Sequence, residues 1–403
     1  MDGTWLTFAA QRYEKCNRSI FEWILSRDPL HKGFIDTKVD SINGISYGTD
    51  SGLRGPSFTY GWIQGRGLES LVNFANYYSK INPTFSKRLF KRAELLFDAL
   101  CRLYDRDGNI HFLYDVDFKP VRVIKSKIIF QTNEDGLFTY ADAFAAKGLF
   151  VASTFFKPEK TKYYEQYLFN VIDAVEDNRF QMDENSAISL EQIKKQKNDF
   201  GPRMILLGAA GLLHEHNYTA CTEFADRFID YVLENHYCSQ SKLLMNIPNH
   251  DICNVGHAIE FCGFAYEHFL HKPNEQKIRR LGSILKNSLE VGLQGPGIAL
   301  YLSAKSGKAT SPYFPWWPMP EAVRACALSL SFEKNQEIIK FWKQADKAFF
   351  SNFWQADKSY AFQTCDKSGP VDYVPATPDL DPGYHTGISF LRAINIIRSH
   401  LVC

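Results

Sequence analysis

The sequence predicts an all-α chain built from helical hairpins. Long amphipathic segments recur in pairs from end to end, separated by short polar or Gly/Pro-rich breaks. No low-complexity linker divides the 403 residues, so residues 1–403 read as one domain. Aromatic residues reach 15%, with 32 Phe, 20 Tyr and 7 Trp, and such rings either fill a wide core or line a sugar or nucleotide pocket.

The elements follow in order. Residues 67–81 and 86–104 form a first pair, broken at Asn82-Pro83-Thr84, a helix stop and a new start. Residues 136–153 and 161–178 form the next. Then come 202–216 with 219–235, 255–271 with 274–293, and 319–332 with 334–350, and a last helix at 385–400 closes the chain. Short β-like pieces lie at 109–114, 120–131 and 370–374. About six hairpins of roughly 60–70 residues account for the length. The repeat is structural, and no TPR or ankyrin signature accompanies it. Such a toroid of hairpins has an aromatic interior and an open mouth.

Charge and cysteine narrow the class. Lys+Arg 46 against Asp+Glu 45 gives +1, with no footprint for nucleic acid or an anionic membrane. A hydrophobic fraction of 45% excludes disorder. The nine cysteines include no CxxC pair, which argues against zinc ribbons and thioredoxin-like motifs. Cys101, Cys262 and Cys326 fall in apolar helical runs and read as buried free thiols, hence a reducing compartment. The N-terminal stretch lacks a signal-peptide pattern, and no apolar run reaches the ~20 residues that span a bilayer. A cytoplasmic protein is expected.

Four segments carry chemistry. In Gly256-His257-Ala258-Ile259-Glu260, His257 and Glu260 share a helix face at i, i+3. A carboxylate beside an imidazole fixes its orientation and favours its charged form, as a general acid/base requires; the plain alternative is a helix-stabilising pair. In Asp381-Pro382-Gly383-Tyr384-His385, a Pro-Gly turn delivers Tyr384 and His385 to the start of the last helix, where packing alone is the alternative. Pro315-Trp316-Trp317-Pro318-Met319-Pro320-Glu321 suits a rigid loop presenting an aromatic platform and a carboxylate, as sugar sites do; a packed corner is the alternative. Trp62 and Arg66 lie at i, i+4, and an Arg among aromatics stabilises a developing oxyanion or makes a structural ion pair.

Taken in order, Trp62-Ile63-Gln64-Gly65-Arg66, residues 202–207 (PRMILL), Gly256 to Glu260, Trp316 to Ala322 and Tyr384-His385 resemble the N-acylglucosamine 2-epimerase superfamily of sugar epimerases and aldose–ketose isomerases. The resemblance runs along nearly the whole chain. It implies an (α/α)6 barrel with short β pieces in loops at the mouth, which holds the site. It also implies a sugar 2-epimerase that inverts C2 of an open-chain aldose or N-acetylhexosamine. His257 and His385 are then the two acid/base residues, Glu260 orients His257, and Arg66 supports the reacting oxygens. Glu321, Trp316, Trp317 and Trp62 contact the sugar, with Tyr140 and Tyr384 as further pocket residues. The same two histidines would serve a mannose-type aldose–ketose isomerase, the second reading. A glycoside hydrolase or an inactive sugar-binding protein on the same fold is the third.

The sequence also departs from relatives. Cellobiose epimerases and several isomerases carry Asn and His where Gly201 and Ile205 stand, whereas the N-acylglucosamine branch is apolar there. Arg203 brings a positive charge into that segment, to face a carboxylate or phosphate or to pair with Asp199. The loop 375–383 (PATPDLDPG) is acidic where that branch is rich in Lys and Gly.

No metal is expected: His257 and Glu260 lack the HExxH spacing, and no third ligand stands nearby in sequence. No P-loop or GxGxxG occurs. Some relatives take a nucleotide as allosteric effector, a site that nothing in the sequence places here. The remaining partner expectations are a small sugar, no nucleic acid, no membrane and a homodimer.

Overall fold

A computed structural model describes residues 3–31 and 33–401. The chain folds as two compact units. One comprises residues 1–19, 198–375 and 385–403, and the other residues 20–197 and 376–384. The first helix, α1 (Gly3–Ser26), belongs to the former by its first four turns and to the latter by its end.

The unit around 20–197 holds α2 (Gly61–Ile81), α3 (Pro83–Asp107), α4 (Tyr140–Phe156), α5 (Thr161–Glu176) and the short α6 (Leu190–Lys195). The predicted break at Asn82 is a real cap: its side chain accepts from the Phe85 N–H, with Pro83 in the first turn, where its missing N–H costs nothing. Helices α2 and α4 cross closely because both present glycine. A Cβ on Gly65 would lie 2.7 Å from the Ala145 backbone, and one on Gly148 2.7 Å from the Gly65 carbonyl. Almost every residue of α4 from Ala141 to Ser153 is buried, whereas α3 buries only one stripe.

The other unit holds α7 (Gly201–Glu215), α8 (Glu223–Asn235), α9 (Val255–Phe269), α10 (Glu275–Gly292), α11 (Pro318–Ser329), α12 (Gln336–Ala348) and α13 (Ser389–Ile396). Helices α7, α9, α11 and α13 pack in succession, buried on nearly all sides, and α8, α10 and α12 cover them as amphipathic helices. This division explains the aromatic surplus: rings fill the interfaces on both sides of the buried helices.

Two features differ from the sequence reading. The final helix is not one α-helix over 385–400 but a π-helical turn at Tyr384–Ile388, α13, and a second π-turn at Ile397–Leu401. Its hairpin partner is α1, which the sequence reading left unassigned. Tyr13 stacks on Phe390 at 4.3 Å, and Asn17 Nδ2 donates to the Gly387 carbonyl at 3.2 Å. The sixth hairpin is thus assembled from the two ends of the chain.

The β pieces are short. Segment 120–131 is a two-stranded hairpin, Val121–Ile124 with Lys127–Phe130. Within 109–114 only Leu113–Tyr114 is strand, paired with Thr59–Tyr60. Segment 370–374 contributes only Pro370, in Gly369–Pro370, although the Val371 N–H still donates to the Thr364 carbonyl at 3.0 Å. Cys101, Cys262 and Cys326 are buried free thiols as expected, while Cys403 lies outside the described residues. No helix of the described residues is long and apolar enough to cross a membrane.

Candidate active site

The unit that holds α7–α13 brings six of the predicted residues together. Helix α9 begins at a cap that positions His257: Asn254 Oδ1 accepts from the His257 N–H, and Asn246 Oδ1 in turn accepts from the Asn254 N–H at 2.5 Å. Asp199 accepts from Asn246 Nδ2 at 3.1 Å and from the Gly201 N–H at 2.7 Å, tying the starts of α7 and α9 to one part-buried polar chain. Burial raises the Asp199 carboxyl above its usual range.

Helix α11 starts with Pro318 directly after Trp317, and Glu321 sits in its first turn, where the helix dipole favours a carboxylate. The Trp317 indole is 92% buried and lies against both imidazoles. Its ring centroid is 5.4 Å from His257 at 37° and 5.5 Å from His385 at 39°. Gly256 makes this possible: a Cβ there would lie 2.3 Å from the indole Cη2. Trp316 meets His385 edge-on at 6.3 Å.

His385 emerges from the π-turn, a distortion that turns a side chain off the regular helical path. Its Nδ1 lies 2.9 Å from Glu321 Oε1 and 3.9 Å from Glu260 Oε1. Both glutamates are buried, and the second oxygen of Glu321 pairs with Arg324, also buried. One donor atom from each of Glu260, Glu321 and His385 falls within 4.8 Å of the others, close enough to share a cation. A proton on Nδ1 already accounts for the 2.9 Å contact, and Arg324 already supplies positive charge to Glu321. The donor set therefore fits a hydrogen-bonded acid–base network.

The unit around 20–197 brings together four more. Trp62 and Arg66 share a face of α2, the guanidinium carbon 5.3 Å from the indole, 4.0 Å from the Phe144 ring and 5.5 Å from the Tyr384 ring. Trp62 packs edge-on to Tyr140 at 5.5 Å. The Gln64 side chain clamps Ile35 by its backbone N–H (2.9 Å) and C=O (3.1 Å), which accounts for the glutamine of the Trp-x-Gln-x-Arg segment as a structural residue.

Arg203 goes elsewhere: its guanidinium stacks on α8, 3.7 Å from the Tyr231 ring and 5.8 Å from Phe228. The segment's helical phase turns residue 203 toward the covering helix, and the two Asp199 oxygens take the Gly201 N–H and Asn246.

Several residues at these places were not read from the sequence. Arg324 is one. Lys147 is another, fully buried in α4, with Nζ 3.2 Å from Glu69 Oε2 and 2.5 Å from the Tyr384 hydroxyl. A third is Glu184, which accepts from Trp62 Nε1 at 2.5 Å and from the Ala141 N–H at 3.1 Å. Burial pushes the Glu184 carboxyl up to about 8. A charged residue inside an apolar run, such as 141–151 or 322–330, is the one signal that marks Lys147 and Arg324 in advance. Glu184 sits in a polar loop and gives none.

Buried helices alternating with covering ones define a helical-hairpin fold. No protein-family model matches the sequence, and no curated protein sequence does. Solved structures match its fold. The cellobiose 2-epimerase of Bacillus thermoamylovorans superposes with TM-score 0.74 at 15% identity, over 96% of this chain and 99% of that one. A D-mannose isomerase gives 0.70 at 13%, over 96% and 97%. An α-1,6-mannanase from Salegentibacter gives 0.53 at 9%, over 96% and 99%. The chain thus shares the fold of that cellobiose 2-epimerase, that D-mannose isomerase and that mannanase, the (α/α)6 barrel read from the sequence.

Proposed function

We propose that the protein is a sugar 2-epimerase that works on the open-chain form of an aldose or N-acetylhexosamine. The observation that carries this reading is the pair of imidazoles flanking the Trp317 indole, one of them backed by a buried carboxylate. A C–H bond next to a sugar aldehyde is acidic only once the ring has opened. One histidine takes the C2 proton, a cis-enediolate forms, and the other histidine returns a proton to the opposite face. Neutral-pH chemistry suits imidazole, whose unperturbed pKa is ~6.5. By the family resemblance, Arg66 stabilises the enediolate charge, and Trp62, Tyr140, Tyr384, Trp316 and Trp317 grip the sugar.

The geometry supports a different task for Glu321 from the sugar contact expected of it. With one oxygen on His385 Nδ1 and the other paired to Arg324, Glu321 fixes the His385 tautomer and leaves Nε2 for the substrate. Glu260 acts on the same network, 3.9 Å from His385. Arg203, stacked on Tyr231, takes a structural part.

The second reading, a mannose-type aldose–ketose isomerase, is favoured by the D-mannose isomerase match and uses the same bases, with the proton returned to C1. A hydrolase is less well supported. Inverting enzymes set two carboxylates ~6.5–9.5 Å apart across the scissile bond, whereas Glu260 and Glu321 converge, buried, on one imidazole. Metal-independent turnover, a cytoplasmic location and a homodimer belong to the same proposal; undiminished activity after chelation checks the first.

A screen of aldoses, N-acetylhexosamines and disaccharides by proton NMR in heavy water tests the function. Loss of a C2 proton signal with appearance of the epimer supports epimerisation, and a new ketose signal supports the isomerase. Release of reducing sugar without exchange at C2 would sink both.

A further inference from the structure

We propose that Arg324 is a positioning residue for His385, acting through Glu321. It holds the Glu321 carboxylate ionised and in place, so that Nδ1 of His385 stays protonated and Nε2 stays free for proton transfer. The inference rests on the two-histidine reading above.

Three contacts in series carry it. His385 Nδ1 meets Glu321 Oε1 at 2.9 Å, and Glu321 Oε2 pairs with Arg324 one helical turn along α11. Arg324 in turn lies with its guanidinium carbon 4.0 Å from the Phe264 ring of α9. Gly263 leaves room for it: a Cβ at that position would stand 3.0 Å from Arg324 Nε. The arginine is 2% exposed, so its charge is not diluted by solvent and its place is fixed by packing on both sides.

The charges explain why an arginine is needed. His385 faces Glu321 from α11, with Arg324 behind that carboxylate, and Glu260 from α9. The Trp316 and Trp317 rings also face it, and His257 packs against that same Trp317. Two buried carboxylates so close to one another tend to share a proton. A protonated Glu321 could donate toward Nδ1 rather than accept from it, which would reverse the imidazole tautomer and spoil Nε2 for its task. Arg324 removes that option. Two negative charges and one positive leave a single net charge, which an imidazolium neutralises, so the network gains and loses its proton at His385.

The test uses the full-length enzyme with Arg324→Gln, Arg324→Lys and Arg324→Met, the last refilling the space over Phe264 if the glutamine variant does not fold. Two readouts apply. In substrate-free enzyme, 15N-labelled histidine NMR is expected to show a far-downfield Nδ1–H signal from His385 in the wild type. Gln and Met should lose or weaken it, and Lys should retain it. In turnover, Gln and Met are expected to lower kcat about tenfold or more with KM little changed. They should also move the acid limb of the pH–rate profile up by roughly one unit, and Lys should restore most of both. A folded Gln or Met variant with the wild-type downfield signal and an unmoved acid limb would overturn the proposal. The NMR arm needs no sugar, so its failure is distinct from failure to find a substrate.

Discussion

Replacing Gly256 by alanine tests the packing that seats the two histidines. The new methyl carbon would lie 2.3 Å from the Trp317 Cη2, 2.7 Å from Cζ3 and 2.9 Å from Pro318 Cγ. An ordinary contact begins near 3.4 Å, so the indole must retreat by about 1 Å or the start of α9 must lift. Pro318 blocks one direction, and the His257 and His385 rings lie against the indole. Overpacking of this size costs about 1–3 kcal/mol. A 1 Å misplacement of catalytic groups costs on the order of 10²-fold in rate. Urea denaturation should show the stability loss as a lowered midpoint at unchanged slope, and kcat should fall about 100-fold. Gly282→Ala is the control, since a Cβ there meets only the Tyr266 hydroxyl at 3.7 Å. A Gly256→Ala enzyme with wild-type stability and turnover would refute the claim that Trp317 is wedged between the imidazoles.

Three further outcomes are expected. Lys147→Met removes the cation buried beside Glu69 and Tyr384. It should destabilise by about 3–5 kcal/mol, and Lys147→Met with Glu69→Leu should recover much of the loss in thermal melts. Burial lowers His111 from 6.5 to about 4, so the folded state refuses a proton that the unfolded chain accepts. Its stabilising share is complete above pH 6.5 and is lost as pH falls toward 4, roughly 3 kcal/mol in all. His111→Gln should flatten that part of the pH dependence of unfolding, and a slope equal to wild type would contradict it. Glu184, with its carboxyl pushed up to about 8, is expected to be largely neutral at pH 7. Glu184→Gln should then cost little in melting temperature at pH 7, whereas a drop of ten degrees would show that the ionised form was required.

How much the sequence discloses depends on how far apart the interacting residues lie. Helix pairs such as 83–107 with 61–81 are legible because amphipathic period, Asn82 and Pro83 are all local signals. The same holds for Trp62 and Arg66 on one face, and for His257 behind its Asn254 cap. Helix α1 has an equally clear apolar stripe through Leu6, Tyr13 and Ile24, but its partner α13 lies at the opposite end of the chain. Glu260 and Glu321 show the same limit. Sequence spacing puts Glu260 beside His257, yet folding also brings it to His385, and Glu321 reaches His385 across 64 residues. Lys147 and Arg324 stand out in the sequence only as charges inside apolar runs, and packing shows each buried with a carboxylate. Residues marked by local signals are therefore more legible than groups that meet only across the fold.

The most direct measurement of the central claim follows deuterium at C2 of the substrate found by the screen, in heavy water, for wild type, His257→Asn and His385→Asn. Two-base chemistry predicts that the wild type yields the epimer with deuterium at C2. It predicts that each variant loses epimer formation by at least ~10²-fold while the base left in place still exchanges C2 of one epimer. Near-wild-type epimer formation by either variant would contradict the two-histidine account.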